Sequence, residues 1–400
     1  MPKCAPLNHP NQSLGMQGHC FCDSLKDKDM KTDSIINVLH TESSPSLGGQ
    51  ELHILLEMEA MVACGINSIL AARTDTPIVH EARRRNLPVY EVPIRFNLEP
   101  KSMWRLGGIM KKHRIQVLNA HGSKDAWCAA PVARLRGIKI IRSRHIATPI
   151  SDDYIGQLIY GPLCDVITTA GEGIKRGMVE KGIPADKIIS VPIGADMKQF
   201  LSARPGTLRQ DLHIPPDVPL VGQISVLRRD RGGNYFIRAA QLAIERGSDA
   251  WFVLVGDGPE RKNLESLLAD NPCGGRIKLA GFRHDIPEVL SDLQLFVITS
   301  TIPEGACNSV GQAHAAKVPV IATHQIGLDE LAIDQKTARC VRVGSPEEMA
   351  EAVLFLLSHP EEAQRLCQAG HDLIKSGYTY DHTMAKMKDI YKRLSQRSSC

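Results

Sequence analysis

No apolar run in the 400 residues approaches the roughly 18 to 20 that a bilayer span needs, and the start lacks the apolar core of a secretory leader. The expectation is a cytoplasmic protein. Aromatic residues are scarce, at 4% of the chain. That leaves few rings on which bases could stack and argues against a nucleic-acid partner. The eleven cysteines follow no framework spacing, and a chain of this length needs no staples. They are expected as reduced thiols, mostly in cores. Cys20 and Cys22 beside His19 lack a second Cys/His pair at finger spacing, so no metal site is expected there.

What is present is an ordinary globular composition, 43% hydrophobic and 23% charged. The length exceeds one core, so two domains of roughly 150 to 200 residues are expected. The formal charge of +4 is unevenly spread. Residues 101–150 carry eleven Lys and Arg against Asp125 alone, a local charge of +10, so the remainder sums to −6. Such asymmetry fits either an anionic partner, such as a membrane surface or a phosphorylated acceptor, or a solvated basic face.

Residues 1–33 are polar and aperiodic and read as a disordered extension. Beyond them, strand-like runs ("SIINVLH", "INSILAA", "IQVLNA", "IKIIRSR", "DVITTA", "IISVPI") alternate with helical stretches. After a Pro- and Gly-rich lapse over 191–219 the alternation resumes with "VPLVGQISVL", "AWFVLVG", "RIKLAG", "LQLFVIT" and "VPVIAT". This pattern predicts an α/β chain with two doubly wound Rossmann-like domains facing a cleft. The expected limits are 34–195, 196–375 and a C-terminal helix and tail over 376–400.

In such sheets ligands sit beyond the carboxyl ends of the strands. Five loops there carry candidate chemistry. Gly48 and Gly49 permit close backbone approach before a helix whose free amides could receive a phosphate. Arg228, Arg229 and Arg231 form a cationic loop suited to phosphate oxygens. Gly256 and Phe282 end two further strands, where a flat base or ring could lie. The fifth loop, "PEGACNSVGQ", holds Glu304, Gly305, Asn308, Ser309 and Gln312, and Ser309 reads as a helix start. A carboxylate ahead of a helix is also a plain stabilising device, so Glu304 alone decides nothing.

Taken in order, these motifs resemble those of family 4 retaining glycosyltransferases, the group 1 glycosyl transferases of GT-B architecture. The resemblance covers about residues 35–395. Glu304-Gly305 with Gln312 eight positions on, followed by "AHAAKVPVIAT", is similar to the family's Glu-to-Glu signature. "LRRDRGG", "GDGPER", "GFRHDI", "GGQE", "LNAHGSKDAW" with His121, "SRHI" and "VPIGADMKQF" match further loops. The departures are Gln312 for the second glutamate, Arg231 for the usual lysine, Lys317 for a glycine and Val226 for an arginine. Gln312, "HGSKDAW" and "SRHI" lean toward the lipopolysaccharide and surface-polysaccharide subset.

The resemblance implies transfer of a sugar from a nucleotide-sugar donor to a glycan or lipid-linked acceptor, with retention and without a metal or other cofactor. It further implies a C-terminal helix packed back on the N-terminal domain. Glu304, His121 and Arg231 would be catalytic. Gly48, Gly49, Arg228, Arg229, Gly256, Phe282, Gly305, Asn308, Ser309 and Gln312 would hold the donor. Trp104 among cations in "KSMWRLGGIMKKHR" would make the enzyme peripheral to an anionic membrane. Two other outcomes fit the altered positions: a catalytically weak nucleotide-sugar-binding protein, or a GT-B nucleotide-sugar epimerase.

Overall fold

The structure, a computed structural model, describes residues 35–146, 158–269, 271–305 and 308–396. The expectation for residues 1–33 therefore lies outside the described residues. The first sheet has seven parallel strands: β1 (Asn37–Glu42), β2 (Asn67–Arg73), β3 (Val89–Val92), β4 (Val117–Ala120), β5 (Lys139–Arg144), β6 (Val166–Thr169) and β7 (Ile188–Ser190). Their order is β3-β2-β1-β4-β5-β6-β7. The second sheet has six: β8 (Leu220–Ile224), β9 (Trp251–Val255), β10 (Ile277–Gly281), β11 (Leu295–Ile298), β12 (Val320–Thr323) and β13 (Arg339–Val341), in the order β10-β9-β8-β11-β12-β13.

Both orders reverse once, between β1 and β4 and between β8 and β11. The crossover helices on either side of a reversal lie on opposite faces, so the loops there part and leave a crevice. Register sets the two strands of each reversal side by side, with Thr41 opposite Ala120 and Phe296 opposite Gly222. The loops after β1, β4, β8 and β11 are those that carry Gly48, His121, Arg231 and Glu304.

The strands are runs of buried Val, Ile, Leu and Ala because helices cover both faces. The edge strands β3 and β13 escaped the sequence reading, being only four and three residues long and half-buried. The Pro- and Gly-rich stretch over 191–219 carries structure of its own. It contains helices Met197–Ser202 and Leu208–Asp211, with the Asp196 carboxylate capping the first by accepting from Lys198 N and Gln199 N. Phe200 and Leu208 join the core of the second domain.

The chain crosses between domains twice, side by side. Ala195 N donates to Tyr378 O at 3.0 Å, and Tyr380 N donates to Ala195 O at 2.9 Å. The last helix, Tyr380–Gln396, then returns to the first domain, as the resemblance implied. Its Met384, Met387, Ile390, Tyr391 and Leu394 pack on Val38, Val117 and Ile141. Tyr391 is fully buried, and its hydroxyl donates to Glu57 while accepting from Asn119 Nδ2 at 2.8 Å. Burial pushes the Glu57 carboxyl up to about 7.

Candidate active site at the two sheet reversals

The loop after β8 turns sharply at Gly232, whose φ of +67° is open to glycine at little cost. Space demands glycine there as well, since a Cβ would stand 2.1 Å from the Thr299 carbonyl oxygen. That close approach lays the arginine loop against the end of β11. Gln223 Nε2 donates to Arg231 O at 2.9 Å, and Thr299 Oγ1 donates to Gln223 Oε1 at 2.7 Å. Arg231 and Glu304, 73 positions apart in sequence, consequently meet in an ion pair, with Ser300 Oγ donating to the same carboxylate.

Glu304 is 5% exposed, whereas the Arg231 side chain keeps 26% of its surface. The pair therefore has a buried acidic end and a cationic end open to the cleft. Arg228, bridged to Asp230 at 2.8 Å, and Arg229 are exposed beside it. With Ser225, Arg231, Asn234 and Asn263 they line a cavity of about 280 Å³. Gly256 borders this region at φ +136°, pressed on Ser225 O. Phe282 is 67% exposed, edge-on to His284 with ring centroids 4.7 Å apart, so it is not core.

The helix predicted to start at Ser309 begins one residue earlier and runs Asn308–Ala315, with Ser309 and Gln312 half-buried. Across the cleft lies the glycine loop. A Cβ on Gly49 would stand 3.8 Å from Asn308 Nδ2, so the two domains bring these loops together. Gly305 lies close to the first domain too, its carbonyl oxygen 3.2 Å from where a Gly171 Cβ would sit.

Glu42 closes off the glycine loop at both ends. It accepts from Ser43 N at 2.7 Å, Ser44 N at 2.8 Å and Gln50 Nε2 at 2.5 Å. The Gly48 amide donates to Glu51 Oε2 at 2.7 Å. Burial, with the Asp125 charge nearby, pushes the Glu42 carboxyl up to about 7. Asp125, itself raised by burial, accepts from Thr41 Oγ1 and Ser43 Oγ, both at 2.8 Å.

His121 follows the last residue of β4, at the first sheet reversal. It is 3% exposed and sits in the middle of a column of imidazoles. Its Nε2 is 3.1 Å from His40 Nδ1 and its Nδ1 is 3.2 Å from His145 Nε2. His53 meets His145 edge-on at 5.8 Å. Burial lowers all four, His40 and His145 to about 3, His53 to about 4, and His121 well below its usual value. The column is neutral at pH 7, so each ring has one donor and one acceptor nitrogen, and the tautomers must run in one direction along it.

Two family models match this chain. Glycosyltransferase Family 4 matches residues 47–199 and Glycosyl transferases group 1 matches 206–372, together 320 of the 400 residues. The chain belongs to the family 4 glycosyltransferases. Over 90% of its length it is 23% identical to the UDP-Gal:alpha-D-GlcNAc-diphosphoundecaprenol alpha-1,3-galactosyltransferase of Escherichia coli, of which the match covers 97%. It is 29% identical to the alpha-D-kanosaminyltransferase of Streptomyces kanamyceticus over 44% of this chain, and 28% identical to the lipopolysaccharide core biosynthesis glycosyltransferase LpsE of Rhizobium meliloti over 42%. In these last two the match spans 46% and 47% of the relative's length. Among solved structures, a glycosyltransferase of Rickettsia africae superposes with a TM-score of 0.81 at 18% identity, covering 90% of this chain and 99% of the other. Anabaena HepE in complex with UDP-glucose gives 0.75 at 16%, covering 90% and 100%. At such identities the likeness shows the fold, that of GT-B enzymes.

For a family 4 glycosyltransferase the sequence reading overlooked His40, His53, Glu42 and Ser300. His40 and Glu42 lie within β1, where they looked like strand residues. Only pairing of β1 with β4 sets them against His121 and Asp125. Two of the eleven cations of the basic segment also turn inward. Arg142 donates to the carbonyls of Ala120, His121 and Ser143 at 2.7 to 2.9 Å, and Arg144 bonds Tyr160 Oη at 2.7 Å.

Proposed function

We propose that the enzyme moves a sugar from a nucleoside-diphosphate donor to a hydroxyl of a glycan or lipid-linked acceptor, with retention at the anomeric carbon. The observation that carries this reading is the Arg231–Glu304 pair at the second sheet reversal, set opposite the Gly48–Gly49 loop of the first. Breaking the glycosidic bond puts charge on the diphosphate, and cations fixed beforehand in a site shielded from water lower that barrier most. Arg231, Arg228 and Arg229 supply the charge, so arginine takes the part a divalent metal plays elsewhere. The first-turn amides at Ser309 and at the start of helix Gly49–Ala63 add dipoles, the Gly48 amide being held by Glu51.

Glu304 meets the donor-sugar hydroxyls. Gln312, half-buried one turn into its helix, takes the ribose diol, accepting through Oε1 and donating through Nε2. Gly256 and Phe282 border the base. A thermal-shift panel of UDP-, GDP- and ADP-sugars, followed by transfer assays, tests the reading. One base class raises the melting temperature, and Gln312→Ala weakens that binding about fivefold, the worth of a hydrogen bond, whereas Gln312→Glu keeps it. Binding without turnover for any acceptor would favour a nucleotide-sugar-binding protein instead.

The acceptor side is proposed to lie on an anionic membrane. Among the described residues no helix is long and apolar enough to cross one. Helix Pro100–Lys112 buries Leu106, Ile109 and Met110 and turns Lys101, Trp104, Arg105 and Lys111 outward, with Trp104 79% exposed. Phe96 and Leu98, 53% and 48% exposed, extend the patch. Aromatic rings ringed by cations suit a headgroup layer. In sedimentation the protein goes down with vesicles containing acidic lipid and stays behind with neutral ones; equal binding to both would refute this.

A further inference from the structure

The segment 326–330 touches the first domain on one side and Glu304 on the other. Helix Glu172–Glu180 begins just after β6, and its first amide, Glu172 N–H, donates to Glu330 Oε2 at 2.7 Å across the domain boundary. One turn on, Arg176 Nη2 lies 2.6 Å from Asp329 Oδ2. The backbones abut, since a Cβ on Gly173 would stand 2.9 Å from Gly327 Cα. On the opposite side Glu304 N–H donates to Ile326 O at 2.9 Å, and Gly327 approaches so closely that a Cβ there would be 2.0 Å from Glu304 O. Asp329 links the two faces, because its Oδ1 accepts from Gly327 N at 2.9 Å while its Oδ2 holds Arg176.

We propose that Asp329 and Glu330 are positioning residues that couple docking of the first domain to the placement of Glu304, with Arg176 and the Glu172 amide as their counterparts. The inference rests on the role given to Glu304 above. Opening of the cleft separates Glu172 from Glu330 and Arg176 from Asp329, and with them goes the support behind the Gly327 turn that bears on Glu304. Closing restores both contacts and brings the Gly48–Gly49 loop to the same place. The strength suits a latch that must release product. Arg176 and Asp329 keep 48% and 52% of their side-chain surface, and ion pairs so exposed are weak enough to break on each turnover.

The test is steady-state transfer by the full-length enzyme, with nucleoside-diphosphate affinity by calorimetry and domain opening by small-angle X-ray scattering. Arg176→Glu and Asp329→Arg each lower kcat about three- to fivefold, as loss of an exposed pair allows, leave nucleotide affinity unchanged and shift the scattering toward an open form. The combined swap recovers the part of kcat owed to the ion pair and stays short of the unmodified enzyme, because arginine at 329 offers the Gly327 N–H no acceptor. Glu330→Ala lowers kcat about tenfold by leaving the Glu172 amide without its acceptor, and Glu330→Gln, which keeps an acceptor, recovers most of it. Single variants with unchanged kcat, or a swap that restores nothing, would overturn the proposal. Glu304→Ala separates this inference from its premise. If that variant is inactive while the Arg176 and Asp329 variants are normal, the coupling falls and the role of Glu304 stands; if it turns over normally, the role of Glu304 falls and the coupling with it.

Discussion

Replacing Glu304 with alanine lowers turnover about a hundred- to a thousandfold, the usual cost of removing one preorganised electrostatic partner from an active site. Nucleotide binding falls far less, because the diphosphate and the nucleoside are held by other loops. The fold survives, since of the two groups that lose Glu304, Arg231 still has a quarter of its side chain in water and Ser300 gives up a single hydrogen bond. Initial rates with the preferred donor, together with the urea midpoint, decide the matter. Turnover near that of the unmodified enzyme would refute the donor-sugar role.

Arg231→Ala has a comparable effect on rate and a different signature. It removes one of the three cations that meet the developing diphosphate charge, so the variant's preference for a nucleoside diphosphate over the bare nucleoside narrows, and kcat drops about a hundredfold or more. Lysine at this position keeps the charge but not the two-pronged geometry and loses less, in keeping with the lysine usual in the family. Stability also separates the two changes. Arg231→Ala leaves the Glu304 carboxylate buried without a counter-charge, a loss of about 3 to 5 kcal/mol unless it takes up a proton. Glu304→Ala leaves a partly solvated guanidinium and the Ser300 hydroxyl without its acceptor, a smaller loss than a buried unpaired charge. The double variant is therefore more stable than Arg231→Ala alone. A double variant no more stable than Arg231→Ala would mean that Glu304 carries no such penalty once its counter-charge is gone.

The neutral imidazole column changes how His121 is to be understood. Both its ring nitrogens are occupied by His40 and His145, so its tautomer is set by neighbours from β1 and from the end of β5. "HGSKDAW" and "SRHI" drew attention to two of these rings. Nothing in the local pattern marked His40, which stands in an unbroken run of buried strand residues, or His53, which occupies the inner face of a helix. Buried histidines look like any core position until their neighbours are known.

The order of strands and helices was open to reading because each element announces itself locally: β-branched runs for strands buried on both faces, and glycines where the backbone must turn or draw close. So was the family signature, since Glu304, Gly305 and Gln312 lie within one loop and the helix it opens. Elements of three or four residues, such as β3 and β13, bury too little to leave a pattern. Tertiary structure alone decided that Arg231 and Glu304 would pair, that Glu42 would sit beside Asp125, that Arg142 and Arg144 would turn inward from an apparently basic surface, and that segment 326–330 would reach helix Glu172–Glu180. Each of these depends on which strands become neighbours and on how one domain rests against the other, and contacts from 16 positions apart (Arg144–Tyr160) to 158 (Glu172–Glu330) are set by packing of the whole chain rather than by any local preference.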